Sequence, residues 1–182
     1  SLNKEKYIQC LQRFYNDYKD VFHKTIQEIG LIDLNCCSSK ISIENSYCQP
    51  TITNKNQKSY FIAKDIRHPL VEKIQTEIPY VPNDVSLSED GILLYGTNAC
   101  GKSTLMKSIG LSIIMAQAGF YVPCSSFEYY PYTQLFTRIL NNDNLFTGQS
   151  SFAVEMSELR GILLRANQNS LVLGDELCSG TE

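Results

Sequence analysis

The chain has 182 residues, 43% of them hydrophobic, which is enough for one globular domain with a small appendage. Its formal net charge is −3, so charge alone gives it no basic field that would attract a nucleic-acid backbone. No apolar run approaches the roughly 20 residues that span a bilayer, and the charged start Lys4–Lys6 lacks a signal-peptide core. We therefore expect a soluble, intracellular protein with no membrane partner.

The seven cysteines form an odd set without a C-x-x-C pair. They are Cys10, Cys36, Cys37, Cys48, Cys100, Cys124 and Cys178. This spacing indicates neither a disulfide framework nor a zinc site. We expect small, reduced, hydrophobic side chains in a reducing compartment.

The N-terminal part, from about residue 4 to 29, repeats apolar residues every three or four positions. These residues are Tyr7, Leu11, Phe14, Tyr18, Val21, Phe22, Thr25, Ile26 and Ile29. Because lysine and aspartate occupy the intervening face, the pattern predicts one long amphipathic helix. We interpret its aromatic stripe as a packing surface.

A β-rich region follows between Ser38 and Pro82, where the helical period disappears. Short β-forming pieces alternate with polar turns at Lys40–Glu44, Thr51–Thr53 and Tyr60–Ile66. These pieces predict a small β layer.

From residue 91 onwards, short apolar strands alternate with helical stretches. We predict strands at Gly91–Tyr95, Leu135–Ile139 and Ser170–Leu173, and helices at about Lys102–Gln117 and Ser151–Ala166, with a polar loop at Asn141–Asn144. This alternation predicts an α/β fold whose sheet is at least partly parallel and is covered by helices.

A phosphate-binding motif lies between the first predicted strand and the helix after it. Gly96–Ser103 matches G-x-x-x-x-G-K-[ST], and its flanking elements make the match specific. The glycines let backbone N–H groups and the helix N-terminus point at phosphate oxygens. Lys102 would reach the β- and γ-phosphates, and the Ser103 hydroxyl would bind Mg²⁺. The predicted nucleotide-binding set is Gly96, Asn98, Ala99, Cys100, Gly101, Lys102, Ser103 and Thr104.

An acidic pair ends the last predicted strand, in Leu171–Glu176, about 70 residues after the glycine loop. This is the form of a Walker B motif. It accompanies the Walker A motif, or P-loop, which is Gly96–Ser103 in this chain. Asp175 would supply a hard oxygen to Mg²⁺, and Glu176 would orient the attacking water as a general base. With Lys102, Glu176 completes the predicted catalytic pair.

Two further features of the sequence are explained by structural roles. Gly148–Met156 has the pattern of a helix start with a serine N-cap. His68 precedes Pro69, and we interpret it as a structural hydrogen-bonding residue.

Several of these stretches together resemble the MutS family of DNA mismatch repair ATPases, a branch of the ABC-type ATPases. The resembling segments are Ile66–Glu72, Tyr80–Val85, the P-loop with Asn98, Ala118–Pro123, Phe136–Ile139, Ser151–Phe152 with Glu155–Met156, and Leu171–Thr181. They keep the family's order over about residues 66–182. The resemblance implies a P-loop NTPase sheet flanked by helices, preceded by the β layer and the N-terminal helix.

The resemblance also implies how the chain is divided and assembled. Residues 1–37 would be the end of a long lever-type helix, and residues 38–182 an ATPase domain truncated after the Walker B motif. Two subunits, identical or different, would pair so that each nucleotide lies between one P-loop and the partner's signature segment, which Ser150 and Ser151 resemble. Tyr80 and Val81 would pack against adenine, although both fit core positions equally well.

The implied function is Mg²⁺-dependent ATP binding and hydrolysis, coupled to recognition of mismatched double-stranded DNA by parts of the parent dimer absent from this chain. Thr97, Ala99 and Cys100 depart from the family's P-loop, and Gly174 and Cys178 from its later segment. These departures favour a divergent viral or organellar type.

Two alternatives stay open. One is an ABC-type ATPase of an SMC-like repair protein or transporter, whose glutamine-rich lid and LSGGQ-like signature are not found. The other is a nucleotide-binding interaction module that has lost hydrolysis. The P-loop departures raise this alternative, whereas Asp175 and Glu176 argue against it.

Overall fold

The computed structural model describes residues 2–53, 58–74, 79–88, 90–97, 100–139, 151–175 and 177. The chain divides into two compact units, residues 1–44 and 45–182. The helices are α1 (Leu2–Glu44), α2 (Val71–Ile74), α3 (Lys102–Gln117) and α4 (Ser151–Arg165). The strands are β1 (Thr51–Ile52), β2 (Tyr60–Ile66), β3 (Asn83–Leu87), β4 (Ser126–Tyr130), β5 (Gln134–Arg138) and β6 (Ser170–Gly174). Within the described part of the chain, no helix is long and apolar enough to cross a membrane.

The first unit is the single helix α1, which confirms the helix predicted at about residues 4–29 and extends it to Glu44. The β piece predicted at Lys40–Glu44 is wrong, because these residues continue the helix. No glycine or proline interrupts residues 31–49. The Ser42 hydroxyl also donates to the Ser38 carbonyl at 2.7 Å, a normal hydrogen-bond distance. This bond gives the serine hydroxyl a partner within the helix.

The second unit contains a four-stranded mixed sheet in the order β1-β4-β2-β3. β2 is antiparallel to both β3 and β4, while β1 is parallel to β4. The predicted strand Tyr60–Ile66 is confirmed with these bounds, and Phe61, Ala63 and Ile66 on it are buried. β3, β4 and the short α2 were not predicted.

A second sheet pairs β5 with β6 in parallel, in register from Gln134 opposite Ser170 to Arg138 opposite Gly174. This confirms the parallel character expected of the later strands. Side chains of α3, β6 and the first sheet join in one hydrophobic core, which includes Ile109, Leu173 and Phe61. The predicted helices α3 and α4 are also confirmed, and the second unit is a mixed α/β structure.

The strand predicted at Gly91–Tyr95 is wrong, because this segment has no regular secondary structure. Residues 91–94 line a cavity of about 730 Å³ together with Leu171–Asp175, so a gap separates this part of the segment from β6. Leu93 and Tyr95 are 87% and 91% exposed. Apolar composition was therefore insufficient to predict strand pairing here.

Candidate functional site

The glycine loop leads into α3 through a left-handed residue. Gly101 caps the helix with φ 95° and ψ 10°, a conformation that residues with a Cβ rarely adopt. The Leu105 amide donates to the Gly101 carbonyl at 2.9 Å, closing the first helical turn. Amides at the start of a helix have no partner within it, and a glycine cap provides no side chain to cover them. The loop geometry therefore suits an anion at the start of α3.

Lys102 is the first residue of α3, and its ammonium group folds back over the loop. Its Nζ donates to the carbonyls of Gly96 and Thr97 at 2.9 and 2.8 Å. A Cβ added to Gly96 would lie 3.0 Å from the Cys100 Sγ, so the cysteine side chain packs closely on that glycine. These contacts hold both ends of the loop close to the lysine.

Asp175 follows β6 and lies at the carboxyl end of the parallel pair. Its amide donates to the Arg138 carbonyl at 2.8 Å, which extends the pairing by one bond. Asp175 and Lys102 both line the 730 Å³ cavity. The structure thus brings the predicted metal ligand and the predicted phosphate-binding lysine to one cavity.

Ser103 and Thr104 are half-buried in the first turn of α3. Ser103 and Asp175 offer a hydroxyl and a carboxylate, the hard oxygen donors that Mg²⁺ prefers. No group of three or more histidine, cysteine or acidic residues able to hold a metal occurs in the described ranges. Mg²⁺ commonly uses only one or two protein oxygens, with waters and phosphates completing the shell, so the residues present fit this ion.

The residues predicted to contact adenine lie before β3. Tyr80 is half-buried, and its hydroxyl lies 3.5 Å from the Ser108 Oγ on α3. Val81 is 75% exposed. Tyr80 therefore lies beside the helix that begins with Lys102, whereas Val81 lies on the surface, and neither lines the cavity.

Other predicted site residues lie outside the described part of the chain, namely Asn98, Ala99, Glu176 and Ser150. Ser151 is the first residue of α4, but its side chain is not described.

His68 is buried and accepts two backbone hydrogen bonds, from the Leu70 and Val71 amides to its Nδ1 at 3.3 Å. Burial and, secondarily, the positive charge of Lys107 lower the pKa of His68, which favours the neutral ring that can accept these bonds. The predicted structural role of His68 is confirmed.

A charged cluster that sequence reasoning missed lies beside His68. Arg67 pairs with Glu72 at 3.0 Å, and the Tyr47 hydroxyl donates to the other Glu72 oxygen at 3.1 Å. Burial, with the Glu72 charge and this hydrogen bond, raises the pKa of Tyr47 to about 12. Arg67 also donates to the Asn45 carbonyl at 3.0 Å, so the cluster anchors the chain after α1. Because Tyr47 and Glu72 are 25 residues apart in the sequence, no local pattern indicated the cluster.

Comparison with known proteins identifies the family. The sequence model of MutS domain V matches residues 92–182. Similar proteins include a mutS homolog of Acanthamoeba polyphaga mimivirus, 38% identical over an alignment of 219 residues that covers all of this chain and 20% of the relative. The mitochondrial DNA mismatch repair protein mutS homolog of Sarcophyton glaucum is 41% identical over 182 residues, covering 98% of this chain and 18% of the relative.

A bacterial relative, the DNA mismatch repair protein MutS of Lactobacillus helveticus, is 38% identical over 179 residues, which cover 97% of this chain and 19% of the relative. The chain thus spans about a fifth of the length of these relatives. Viral and mitochondrial homologues are among them, in keeping with the expected divergent type, although a bacterial protein matches as well. The chain therefore belongs to the MutS family of DNA mismatch repair proteins, with MutS domain V in its residues 92–182.

Proposed function

We propose that this chain binds and hydrolyses ATP with Mg²⁺, as a P-loop ATPase domain of the ABC type within a MutS-like mismatch repair protein. The observation that carries the proposal is the meeting of Lys102 and Asp175 at one cavity. The left-handed Gly101 at the start of α3 supports it independently. Membership of the MutS family agrees with both.

Each half of the site has a defined task in this proposal. The amides at the start of α3 bind phosphate oxygens, and Lys102 exchanges its bonds with the loop carbonyls for bonds with the β- and γ-phosphates. This exchange conserves the number of hydrogen bonds made by the ammonium group. It also places a positive charge where negative charge develops during transfer of the terminal phosphoryl group.

Ser103 and Asp175 would hold Mg²⁺, which neutralises charge on the phosphate oxygens when it is bound. Glu176 follows Asp175 directly and would polarise the attacking water as a general base. Tyr80 would stack on adenine from its position beside α3, with Val81 adding apolar contact.

The complete site is proposed to need two chains, identical or different. The segment at Ser150 and Ser151, at the start of α4, would contact the terminal phosphate bound by the partner's loop. Nucleotide binding would then draw the two subunits together, and hydrolysis would release them. In the parent protein this cycle would control a dimer that recognises mismatched double-stranded DNA through other domains.

The test is calorimetric titration of Mg²⁺ with ATP into the full chain and into Lys102→Ala. We expect the affinity to fall at least about 100-fold in the variant, because a charge-assisted contact to two phosphates is lost. Lys107→Ala is the matched control, since Lys107 is exposed on the same helix and lies about 140° around the helix axis from Lys102. The control should bind like the unmodified chain.

Equal affinity in Lys102→Ala and the unmodified chain would contradict the assignment of the loop. Binding that depends on Lys102 but never leads to turnover would favour the alternative of a nucleotide-binding module without hydrolysis.

A further inference from the structure

We propose that the ion pair between Arg138 and Glu158 positions the start of α4 relative to the Asp175 end of β6. The pair would thereby couple the two contributions that one chain makes to the paired ATP sites. Arg138 and Glu158 are positioning residues in this account, and neither needs to touch the nucleotide. The inference rests on the proposed function described above.

The side chain of Arg138 forms one half of the link. Its Nε lies 2.8 Å from Glu158 Oε2, within ion-pair distance, but this Nε makes no hydrogen bond among the described residues, so the contact is an electrostatic one. The side chain of Arg138 is only 18% exposed, whereas that of Glu158 is 51% exposed. Glu158 lies about two turns after the start of α4. The pair therefore connects Arg138 to the middle of α4, about two turns after the segment proposed to contact the partner's nucleotide.

The backbone of the same arginine forms the other half. Its carbonyl accepts the Asp175 amide at 2.8 Å, and Arg138 stands opposite Gly174 in the parallel pair. One residue thus hydrogen-bonds to the proposed metal ligand through its main chain and forms an ion pair with α4 through its side chain.

This link affects hydrolysis because the two elements that it connects belong to sites that bind different nucleotides. Asp175 belongs to the chain's own site, and the start of α4 to the partner's site. A shift of about 1 Å in a positioned group is enough to slow an enzyme strongly. Breaking the pair should therefore reduce turnover while leaving the phosphate-binding loop, and hence ATP affinity, unchanged.

A second contact between α4 and β5 provides a matched control. The Arg165 guanidinium lies 5.3 Å from the centre of the Phe136 ring, at the C-terminal end of α4. Removing it with Arg165→Gln weakens the packing of the same helix on the same strand. Because this contact lies away from the Asp175 end of β6, the variant separates an effect on positioning from an effect on general stability.

The experiment compares the full chain with Glu158→Gln, with Arg165→Gln and with the charge-reversed double variant Arg138→Glu/Glu158→Arg. ATP affinity is measured by calorimetry, and kcat and KM are measured at chain concentrations that give maximal turnover. We expect Glu158→Gln to bind ATP within about twofold of the unmodified chain and to lose about fivefold in kcat, within the range found for residues that couple sites. The reversed pair should recover most of this loss, and Arg165→Gln should keep full kcat.

Unchanged kcat in Glu158→Gln, alongside active unmodified chain, would overturn this inference and leave the proposed function intact. An equal loss of kcat in Arg165→Gln, or no recovery in the reversed pair, would also overturn it, since either result indicates a general packing effect. Failure of the unmodified chain to bind or hydrolyse ATP would remove the proposed function and this inference together.

Discussion

The first sheet and the glycine loop of the second unit differ in the burial of their residues. In the sheet, the rings of Phe61 and Phe127 stack with centroids 6.0 Å apart, and both side chains are buried. Around the loop, residues 91–97, 100 and 101 are exposed and have no regular structure. Buried area stabilises the fold, whereas an exposed backbone with free amides can bind a ligand. Substitutions in the two regions should therefore alter different properties.

The largest expected effect is on stability, from Phe61→Ala in the sheet. Phe61 is 0% exposed, and replacing a buried phenylalanine by alanine removes contacts and leaves a cavity. We expect the free energy of unfolding, measured by chemical denaturation, to fall by about 3–5 kcal/mol.

The neighbouring residue gives the control for this prediction. Ile62 lies on the same strand with its side chain 41% exposed, because successive residues of a strand point to opposite faces. Ile62→Ala should therefore cost about 1 kcal/mol or less. Similar losses in the two variants would show that the buried face of β2 is not what stabilises the sheet.

The loop prediction concerns Gly101→Ala and has an intermediate size. A Cβ at this position would meet nothing within 4 Å, so its cost comes from the left-handed backbone, about 1–2 kcal/mol. Because the loop would shift to relieve that cost, we expect the affinity for ATP, measured by calorimetry, to fall about tenfold.

Gly119→Ala is the comparison for Gly101→Ala. Gly119 follows the other end of α3, has a left-handed backbone with φ 84° and has open space around its Cβ position. Because it does not line the cavity, we expect its ATP affinity to match that of the unmodified chain. If both variants lost affinity to the same degree, backbone strain in the loop itself would not explain the effect.

The smallest expected effect comes from Tyr132→Phe. The Tyr132 hydroxyl is buried and has no hydrogen-bond partner among the described residues, so its removal should raise the free energy of unfolding by up to about 1 kcal/mol at pH 7. Tyr121→Phe is the control, because Tyr121 is 38% exposed and its hydroxyl carries no such burial cost.

The same residue predicts a dependence on pH. Burial raises the pKa of Tyr132 to about 12, above the value near 10 of an unfolded tyrosine. Between these values the unfolded chain loses the proton while the folded chain keeps it, so stability falls as pH rises from about 10 to 12. Denaturation at pH 9, 10 and 11 should show a smaller fall in Tyr132→Phe. An identical fall would contradict the assignment to this hydroxyl.

Local patterns predicted several elements of the fold accurately. Helix α3 and strand β2 have the predicted bounds, since the glycine loop marks the start of one and a β-forming piece between polar turns marks the other. In β4, Phe127 and Tyr129 are buried in alternation with less buried residues, but the neighbouring prolines and polar residues obscured this strand in the sequence.

The two wrong predictions have a shared physical cause. Isoleucines at 41 and 43 favoured a strand, but an uninterrupted helix continued through them. The apolar residues 91–95 also favoured a strand, although pairing depends on whether another strand comes within reach. Side-chain preference is local, while pairing is set by the rest of the fold.

The candidate site was predictable in its residues but not in its contacts. The spacing of glycines and carboxylates indicated Lys102 and Asp175. The bonds from Lys102 to the loop carbonyls and from Asp175 to Arg138 depend on the folded backbone, and no local pattern encodes them.

The measurement that tests the central claim most directly is ATP turnover per chain as a function of chain concentration, with Mg²⁺ present and ATP saturating. A site completed by a second chain predicts that turnover per chain rises with concentration and then levels off as pairs form. Turnover per chain that stays constant from the lowest concentration to the highest, without association of the chains, would contradict it.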